Sequence, residues 1–186
     1  MQKLHLICGD KDEFQYILIT KEKVIATNLF CMLIFETLSL FCNDFYESLQ
    51  KDDRFLIHKN EWVKLTKPYI SFDIVDNKIR ILRKNNITDY IELKREGGDI
   101  KYNDVKIINK LHEFVYEGES IDSLTINPVI LKNFQEAIYP EVTSKGMFPL
   151  RLSFPNRFTS YFNAIKVTSN IDDLYKYEAY IMPIRS

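Results

Sequence analysis

The sequence predicts an α+β fold dominated by antiparallel strands, with helices packed on the sheets. Two observations support this prediction. The 186-residue chain has 13 Phe and 11 Tyr but one Trp, and aromatic side chains favour pleated, half-buried strands. Short apolar segments of strand length also recur between polar pairs that favour turns. The length fits one domain, residues 1–186, or two small repeated units that share a core.

The first predicted element is a hairpin. Gln15–Ile19 and Val24–Thr27 are apolar runs of strand length, and Lys21–Lys23 supplies the polar turn between them. Leu29–Phe35 continues as another strand-length run. Residues 36–50 mix apolar and polar positions, which predicts a helix there.

A short helix and a three-stranded meander are predicted next. The helix spans His58–Thr66 and stops before Pro68, because proline cannot continue the helical hydrogen-bond ladder. Alternating apolar residues then predict three strands, with turns at Asp76-Asn77 and Asn85-Asn86. The strands are Ile70–Ile74, Ile79–Ile81 and Ile87–Leu93.

The second half is predicted to repeat this order. After a polar connection from Gly97-Gly98 through Asp104, Ile121–Ile126 is a strand candidate. Asn127 is suited to cap a helix and Pro128 to begin it, and this helix runs to about Tyr139. The strands that follow are Leu150–Phe154, Tyr161–Val167 and Tyr177–Met182. Strand, helix and three strands in each half predict two pseudo-repeats, about 1–110 and 118–186.

Charge and cysteine usage limit the classes of protein. A net charge of −1 argues against a protein that coats nucleic acid by bulk charge, although a local basic strip remains open. Cys8, Cys31 and Cys42 form no CxxC pair, and the first residues lack an apolar leader, which favours the reducing cytoplasm.

One apolar window, Val24–Cys42, approaches the length of a membrane span. Glu36 would lie deep in the bilayer, at a cost of roughly 2.5–3.5 kcal/mol on insertion scales. The sequence therefore favours a buried strand that runs into a helix or loop.

The residues give no sign of an enzyme, a metal site or a cofactor. His5, His58 and His112 are scattered outside any zinc spacing. The carboxylate pairs Asp52-Asp53 and Asp172-Asp173 are typical of solvated turns. No glycine-rich nucleotide loop or nucleophile motif is present. We therefore predict no catalytic residue, and a small enzyme is only the third alternative.

Two segments carry a family resemblance. The first is the ending, where a helix opens at Leu124–Leu131, a strand follows at Leu150–Phe154, and the chain closes with Tyr180–Arg185. This resembles the last half-domain of the bacterial beta sliding clamp, the ring-shaped processivity factor of the replicative polymerase, which ends in a Met-Pro-x-Arg strand. The second is Val24–Asn28, which is similar to the Ala-Thr-Asp-Gly-His-Arg-Leu stretch of that family. Arg95–Gly98 and the residues after it are weakly similar to its segment between half-domains.

The chain also departs from the family. It has Asn28–Cys31 where the clamps have Asp-Gly-His-Arg. Clamps carry three domains per chain, whereas this length fits one. The resemblance thus implies a DNA-clamp-like fold that assembles into a larger ring, works as an open module, or has lost DNA binding.

The resemblance implies two candidate surfaces. In clamps, a pocket between the two similar segments binds short partner peptides with apolar tails. The matching positions here are Thr27, Leu29, Phe30, Met32, Met182, Pro183, Ile184 and Arg185. Clamps also contact DNA phosphates through basic residues on helices. The helix lysines here are Lys59, Lys64, Lys67 and Lys132. Plain core packing and a solvated helix face are the respective alternatives, and the sequence favours the solvated face over DNA contact.

The hypothesis is therefore a non-catalytic clamp-like binding module, associated with DNA replication or a mobile element. Its expected partners are short apolar peptides and, less strongly, double-stranded DNA, with a homo-oligomer as an open possibility and no membrane. The alternative is a structural or regulatory self-assembling domain that kept the fold without the pocket.

Overall fold

The computed structural model describes residues 1–28, 30–97, 100–102, 104–112, 126–139, 150–154, 164–169 and 177–182. Within them, most of the chain forms short strands and helices. The strands are β1 (Tyr16–Thr20), β2 (Lys23–Thr27), β3 (Cys31–Glu36), β4 (Arg54–His58), β5 (Ser71–Val75), β6 (Lys78–Leu82), β7 (Thr88–Glu92), β8 (Lys94–Arg95), β9 (Leu150–Ser153), β10 (Ile165–Ser169) and β11 (Tyr177–Ile181). The helices are α1 (Thr37–Leu40), α2 (Asn43–Ser48), α3 (Lys59–Thr66), α4 (Asp104–His112) and α5 (Pro128–Ile138). Single 3-10 turns lie at Leu4–Leu6, Asp12–Gln15 and Lys84–Asn86.

Eight strands form one large sheet in the order β8-β4-β1-β2-β3-β11-β10-β9. Every pairing in it is antiparallel. The sheet joins distant parts of the sequence, because β11 lies between β3 and β10. The predicted α+β class with antiparallel sheets is confirmed.

The remaining strands form a small meander sheet in the order β5-β6-β7. Asp76 and Asn77 both adopt positive φ, 51° and 58°, at the turn between β5 and β6. Two such residues in a two-residue hairpin turn match the twist of the flanking strands, and Asn and Asp tolerate this conformation better than most residues do. The meander prediction is confirmed.

Side chains at their N-caps fix where α3 and α5 begin. The Asn127 side chain accepts a hydrogen bond from the Val129 amide at 3.0 Å, and Pro128 occupies the first turn. At α3, the Nδ1 atom of His58 accepts from the Asn60 amide at 3.2 Å. Both helices were predicted, and α3 begins one residue later than expected because His58 is the cap and the last residue of β4.

The large sheet is apolar on both faces. Along β1, Ile17 and Ile19 point to one face and Leu18 to the other, and all three are fully buried. What we call the first face packs against α3, α5, the small sheet and the turn at Leu4–Leu6. The opposite face packs against Tyr102 and α4, and we call it the α4 face.

Several predictions need correction. β4 and α4 were not predicted as a strand and a helix. Residues 36–50 form two short helices, α1 and α2, rather than one. Asp53 is buried rather than solvated, because its carboxylate accepts from the Gln50 amide and pairs with Arg95 at 3.1 Å.

Other predictions fall partly outside the described residues, namely the strand at 121–125 and the start of the one at 161–167. The two pseudo-repeats stay a prediction. The strands that follow α3 form a sheet of their own, whereas those that follow α5 join the large sheet.

No helix within the described residues has the length and apolar character needed to cross a membrane. The window Val24–Cys42 folds instead as most of β2, all of β3 and the helix α1. This agrees with the expected strand that runs into a helix.

Candidate functional site

The two segments singled out by sequence are brought together around β3. Thr27 on β2 pairs with Met32 on one side, and Tyr180 on β11 pairs with Met32 on the other. The pairing continues past the end of β11, because the Met182 amide donates to the Phe30 carbonyl at 2.7 Å. The stretch around Thr27 and the strand that ends at Met182 are therefore neighbours in one sheet.

A side chain in the β2–β3 turn holds Phe30 outward. The Asn28 carboxamide oxygen accepts from the backbone amides of Phe30 and Cys31, each at 3.0 Å. Asn is suited to this role because its short side chain can bond to the backbone two residues on. The Phe30 ring is 62% exposed as a result, which is unusual for a large apolar side chain.

The remaining predicted pocket residues divide by burial. Thr27 and Met32 are each only 4% exposed, and the Thr27 hydroxyl donates to the Cys31 carbonyl at 2.7 Å. They therefore lie beneath the surface rather than on it. Met182 is half-buried, so among the described pocket residues the accessible part is formed by Phe30 and Met182, which we call the Phe30/Met182 edge. Leu29, Pro183, Ile184 and Arg185 lie outside the described residues.

The helix lysines proposed for DNA contact are mostly engaged with neighbours. The Lys59 ammonium donates to the Gly9 carbonyl at 2.8 Å and pairs with Asp10. Lys64 pairs with Glu61 at 2.5 Å, and Lys132 lies 3.7 Å from Glu136. Lys67 is exposed at the end of α3.

An ion-pair network that the sequence did not predict lies on the α4 face of the large sheet. The Arg54 guanidinium pairs with Glu96 and, at 2.6 Å, with Asp104. Glu96 also accepts from the Tyr102 amide. Burial alone would raise the pKa of Glu96, but the hydrogen bonds from Arg54 and Tyr102 outweigh it and lower that pKa below 4.5. The one available signal was a charged residue, Arg54, next to the apolar run Phe55–Ile57.

The described histidines and thiols do not form a reactive group. Among the described residues, no cluster of three His, Cys, Asp or Glu side chains could hold a metal ion. Burial raises the pKa of Cys8 and of Cys31 to about 12, so both stay protonated near neutral pH and are poor nucleophiles. Burial, together with the charge of Lys3, lowers the pKa of His5.

The described residues therefore define an α+β protein built on a helix-covered antiparallel sheet, with an apolar candidate binding edge where β11 meets the β2–β3 turn. Two solved structures are similar to it. One is the DNA polymerase III beta subunit of Thermotoga maritima, at 9% identity, 99% coverage of this chain, 62% coverage of that chain and a TM-score of 0.49. The other is the DNA polymerase sliding clamp from Bacillus subtilis, at 8% identity, 98% coverage of this chain, 60% coverage of that chain and a TM-score of 0.44.

The chain spans about three fifths of the length of these two structures. At such identities the likeness concerns the fold and assigns no role to a residue. No protein-family model matches the chain, and no curated protein matches it significantly.

Proposed function

We propose that the chain is a non-catalytic, clamp-like binding module that takes short apolar peptides at the Phe30/Met182 edge. The observation that carries this proposal is the hydrogen bond from the Met182 amide to the Phe30 carbonyl, 2.7 Å long. This bond joins the end of β11 to the start of β3, so Phe30 and Met182 are neighbours. The sequence resemblance to sliding clamps extends the proposal to cytoplasmic partners in DNA replication or on a mobile element.

The chemistry of the edge fits such a ligand. Phe30 offers an exposed aromatic ring, and Met182 offers a flexible thioether that adapts to ligands of different shape. An aromatic side chain at the centre of a small interface contributes much of its binding energy. The backbone bond at Met182 keeps both groups on the ordered sheet, so little entropy is lost when a peptide docks.

A peptide titration tests the proposal. The probe is a fluorescein-labelled peptide that ends in Leu and Phe, followed by fluorescence polarisation. We expect Phe30→Ser to weaken binding by about 30-fold, the size of a hot-spot residue worth about 2 kcal/mol. Met182→Ala should weaken it by a smaller factor.

The matched control is Leu38→Ser. Leu38 is 50% exposed and lies just beyond the opposite end of β3, roughly 20 Å away at about 3.3 Å per residue. The Leu38→Ser substitution removes a similar exposed apolar side chain without touching the Phe30/Met182 edge. Equal losses of peptide affinity for Phe30→Ser and Leu38→Ser, or no peptide binding by the wild type, would rule the proposal out.

Self-assembly is the second candidate, and one observation favours it. Ile70 and Ile87 are 59% and 55% exposed and lie on either side of the end of β6. The Ile70 amide bonds to Leu82, and the Arg83 amide bonds to Ile87. An exposed apolar pair on a sheet end is suited to a second copy of the same chain. A strictly monomeric mass in solution, measured by light scattering at high concentration, would exclude this candidate.

DNA binding has less support. Three of the four candidate lysines are paired with a carboxylate, so few charges are left to displace counterions from a duplex.

A further inference from the structure

Among the residues that the structure describes, α4 and Tyr102 cover the α4 face. Ile108 and Leu111, three residues apart on α4, are 6% and 2% exposed. They pack in one cluster with Met32 and Tyr180, from the two strands that form the candidate site. Met182, at the Phe30/Met182 edge, packs against the same cluster. The apolar surface beneath α4 is therefore continuous with that edge.

Each end of α4 is tied to the sheet by a polar contact. At its start, Asp104 pairs with Arg54 at 2.6 Å. At its end, the Nε2 atom of His112 lies 3.0 Å from the Glu178 carboxylate on β11. The first tie is partly buried, whereas the second is exposed to solvent, with side chains 45% and 33% exposed. Exposed contacts of this kind contribute little to stability.

The helix does not fill the face that it covers. A groove of about 490 Å³ runs beside it, with Ile25 and Ile108 among its apolar lining residues and Asn109, Asp104 and Arg54 among its polar ones. One flank of α4 thus borders open space rather than packed side chains. On this flank, no described element has to be displaced for α4 to move.

The length of α4 also matters. The described part of α4 has nine residues, and a helical segment of this length has little stability of its own in water. Its order therefore depends on the contacts of Ile108 and Leu111 with the sheet. Elements held by few apolar contacts open locally at lower free energy than the core.

We propose that α4 is a displaceable cover, which hides an apolar surface continuous with the Phe30/Met182 edge and lowers peptide affinity until it lifts. The effect on peptide affinity rests on the proposed function, whereas the displacement of α4 does not. A peptide with a longer apolar segment than the edge alone can hold would occupy Met32 and Tyr180 in place of Ile108 and Leu111.

Native-state hydrogen exchange tests the cover itself. The amides of Ile108 and Leu111 are compared with those of Leu33 and Ile34 on β3, at increasing concentrations of urea below the unfolding transition. We expect the α4 amides to exchange at least about 100-fold faster, with little dependence on urea, as local opening does. Identical protection and identical urea dependence for the two groups would overturn the proposal.

A loosened cover tests the effect on binding. We expect Leu111→Ser to speed exchange in α4 and to raise affinity for the labelled peptide at least about fivefold, because the competing helix is then rarely in place. Phe30→Ser in the same background should remove the gain. Glu178→Ala, which removes the partner of His112 and so cuts only the outer tie, should act in the same direction and replaces Leu111→Ser if that variant fails to fold.

The outcomes separate the two proposals. Faster exchange in α4 with unchanged or weaker peptide binding shows that the helix does not compete and overturns its role as a cover. Absence of peptide binding in the wild type and in both loosened variants ends the proposed function, while hydrogen exchange still decides whether α4 lifts.

Discussion

The two faces of the large sheet are covered in different ways, although the same strands supply both. The first face is packed by two helices, the small sheet and an N-terminal turn, and Trp62 and Phe134 are fully buried there. In the described part of the chain, the α4 face is packed by α4 beside an open groove. The comparison shows that equal burial along a strand does not mean equal resistance to opening. The resistance to opening depends on which elements cover the strand.

The largest expected change in the free energy of unfolding comes from removing a buried side chain from each face of the sheet in turn. Trp62→Ala should cost about 3–5 kcal/mol in free energy of unfolding, because the cavity lies among fully buried neighbours. Leu111→Ala should fall near or below the low end of the range of about 2–5 kcal/mol for such changes, since a site beside a groove can collapse. Urea denaturation measures both.

Trp62→Phe serves as the control for the first face. It keeps an aromatic ring but loses the bond from the indole Nε1 to the Gln2 carbonyl, 2.8 Å long, so its cost should be well below that of Trp62→Ala. If Leu111→Ala costs as much as Trp62→Ala, the two faces are equally tight and the comparison is wrong.

A smaller effect should appear as pH dependence on the α4 side. The pKa of Glu96 is lowered below 4.5 in the folded protein, so its contribution is fully present above that pH and is lost as the pH falls through the lowered value. We expect Glu96→Gln to cost about 1–2 kcal/mol near neutral pH, towards the low end of the range of about 1.5–3 kcal/mol for hydrogen bonds to charged groups, because the Gln carboxamide keeps part of the bonding. The difference from wild type should vanish once the pH has fallen through the lowered pKa of Glu96.

The measurement is urea denaturation of both proteins from about pH 7 to about pH 3. Glu92→Gln is a suitable control, because Glu92 is exposed and lies 3.9 Å from Lys78. A cost for Glu96→Gln that does not change with pH would mean that the charge of this residue contributes nothing.

The smallest effect concerns the lysines on the two helices of the first face. Lys132 is 73% exposed beside Glu136, so we expect Lys132→Gln to leave the salt dependence of duplex DNA binding unchanged in a fluorescence anisotropy titration. A phosphate contact would instead reduce the slope of log affinity against log salt by about one. Such a reduction would restore the DNA-binding hypothesis for this face.

Sequence patterns predicted the elements with local signals. Asn127-Pro128 marked the start of α5, and Asp76-Asn77 marked the hairpin turn, because capping and turn geometry depend on a few adjacent residues. The position of β11 beside β3 followed from a family resemblance rather than from periodicity.

The missed elements lacked such signals. β4 is a short apolar run, Phe55–Ile57, between charged residues, and its partner β1 lies far away in sequence. The helix α4 has an apolar pattern of only two turns within the described residues. Burial of Asp53 depends on Arg95, a pairing that no local pattern specifies. For the candidate site, the sequence resemblance placed the two segments side by side, as they are in the sheet, but could not tell that Thr27 and Met32 lie beneath the surface.

The place of β11 in the middle of the large sheet has a consequence for synthesis of the protein. On the ribosome, β3 emerges early and must keep one edge unpaired until Tyr177–Ile181 leaves the exit tunnel, about three quarters of the chain later. An apolar strand with an open edge is prone to pair with other chains, and closing so long a loop is slow. The Cys31–Glu36 edge of a nascent chain is therefore open to such pairing until β11 is in place.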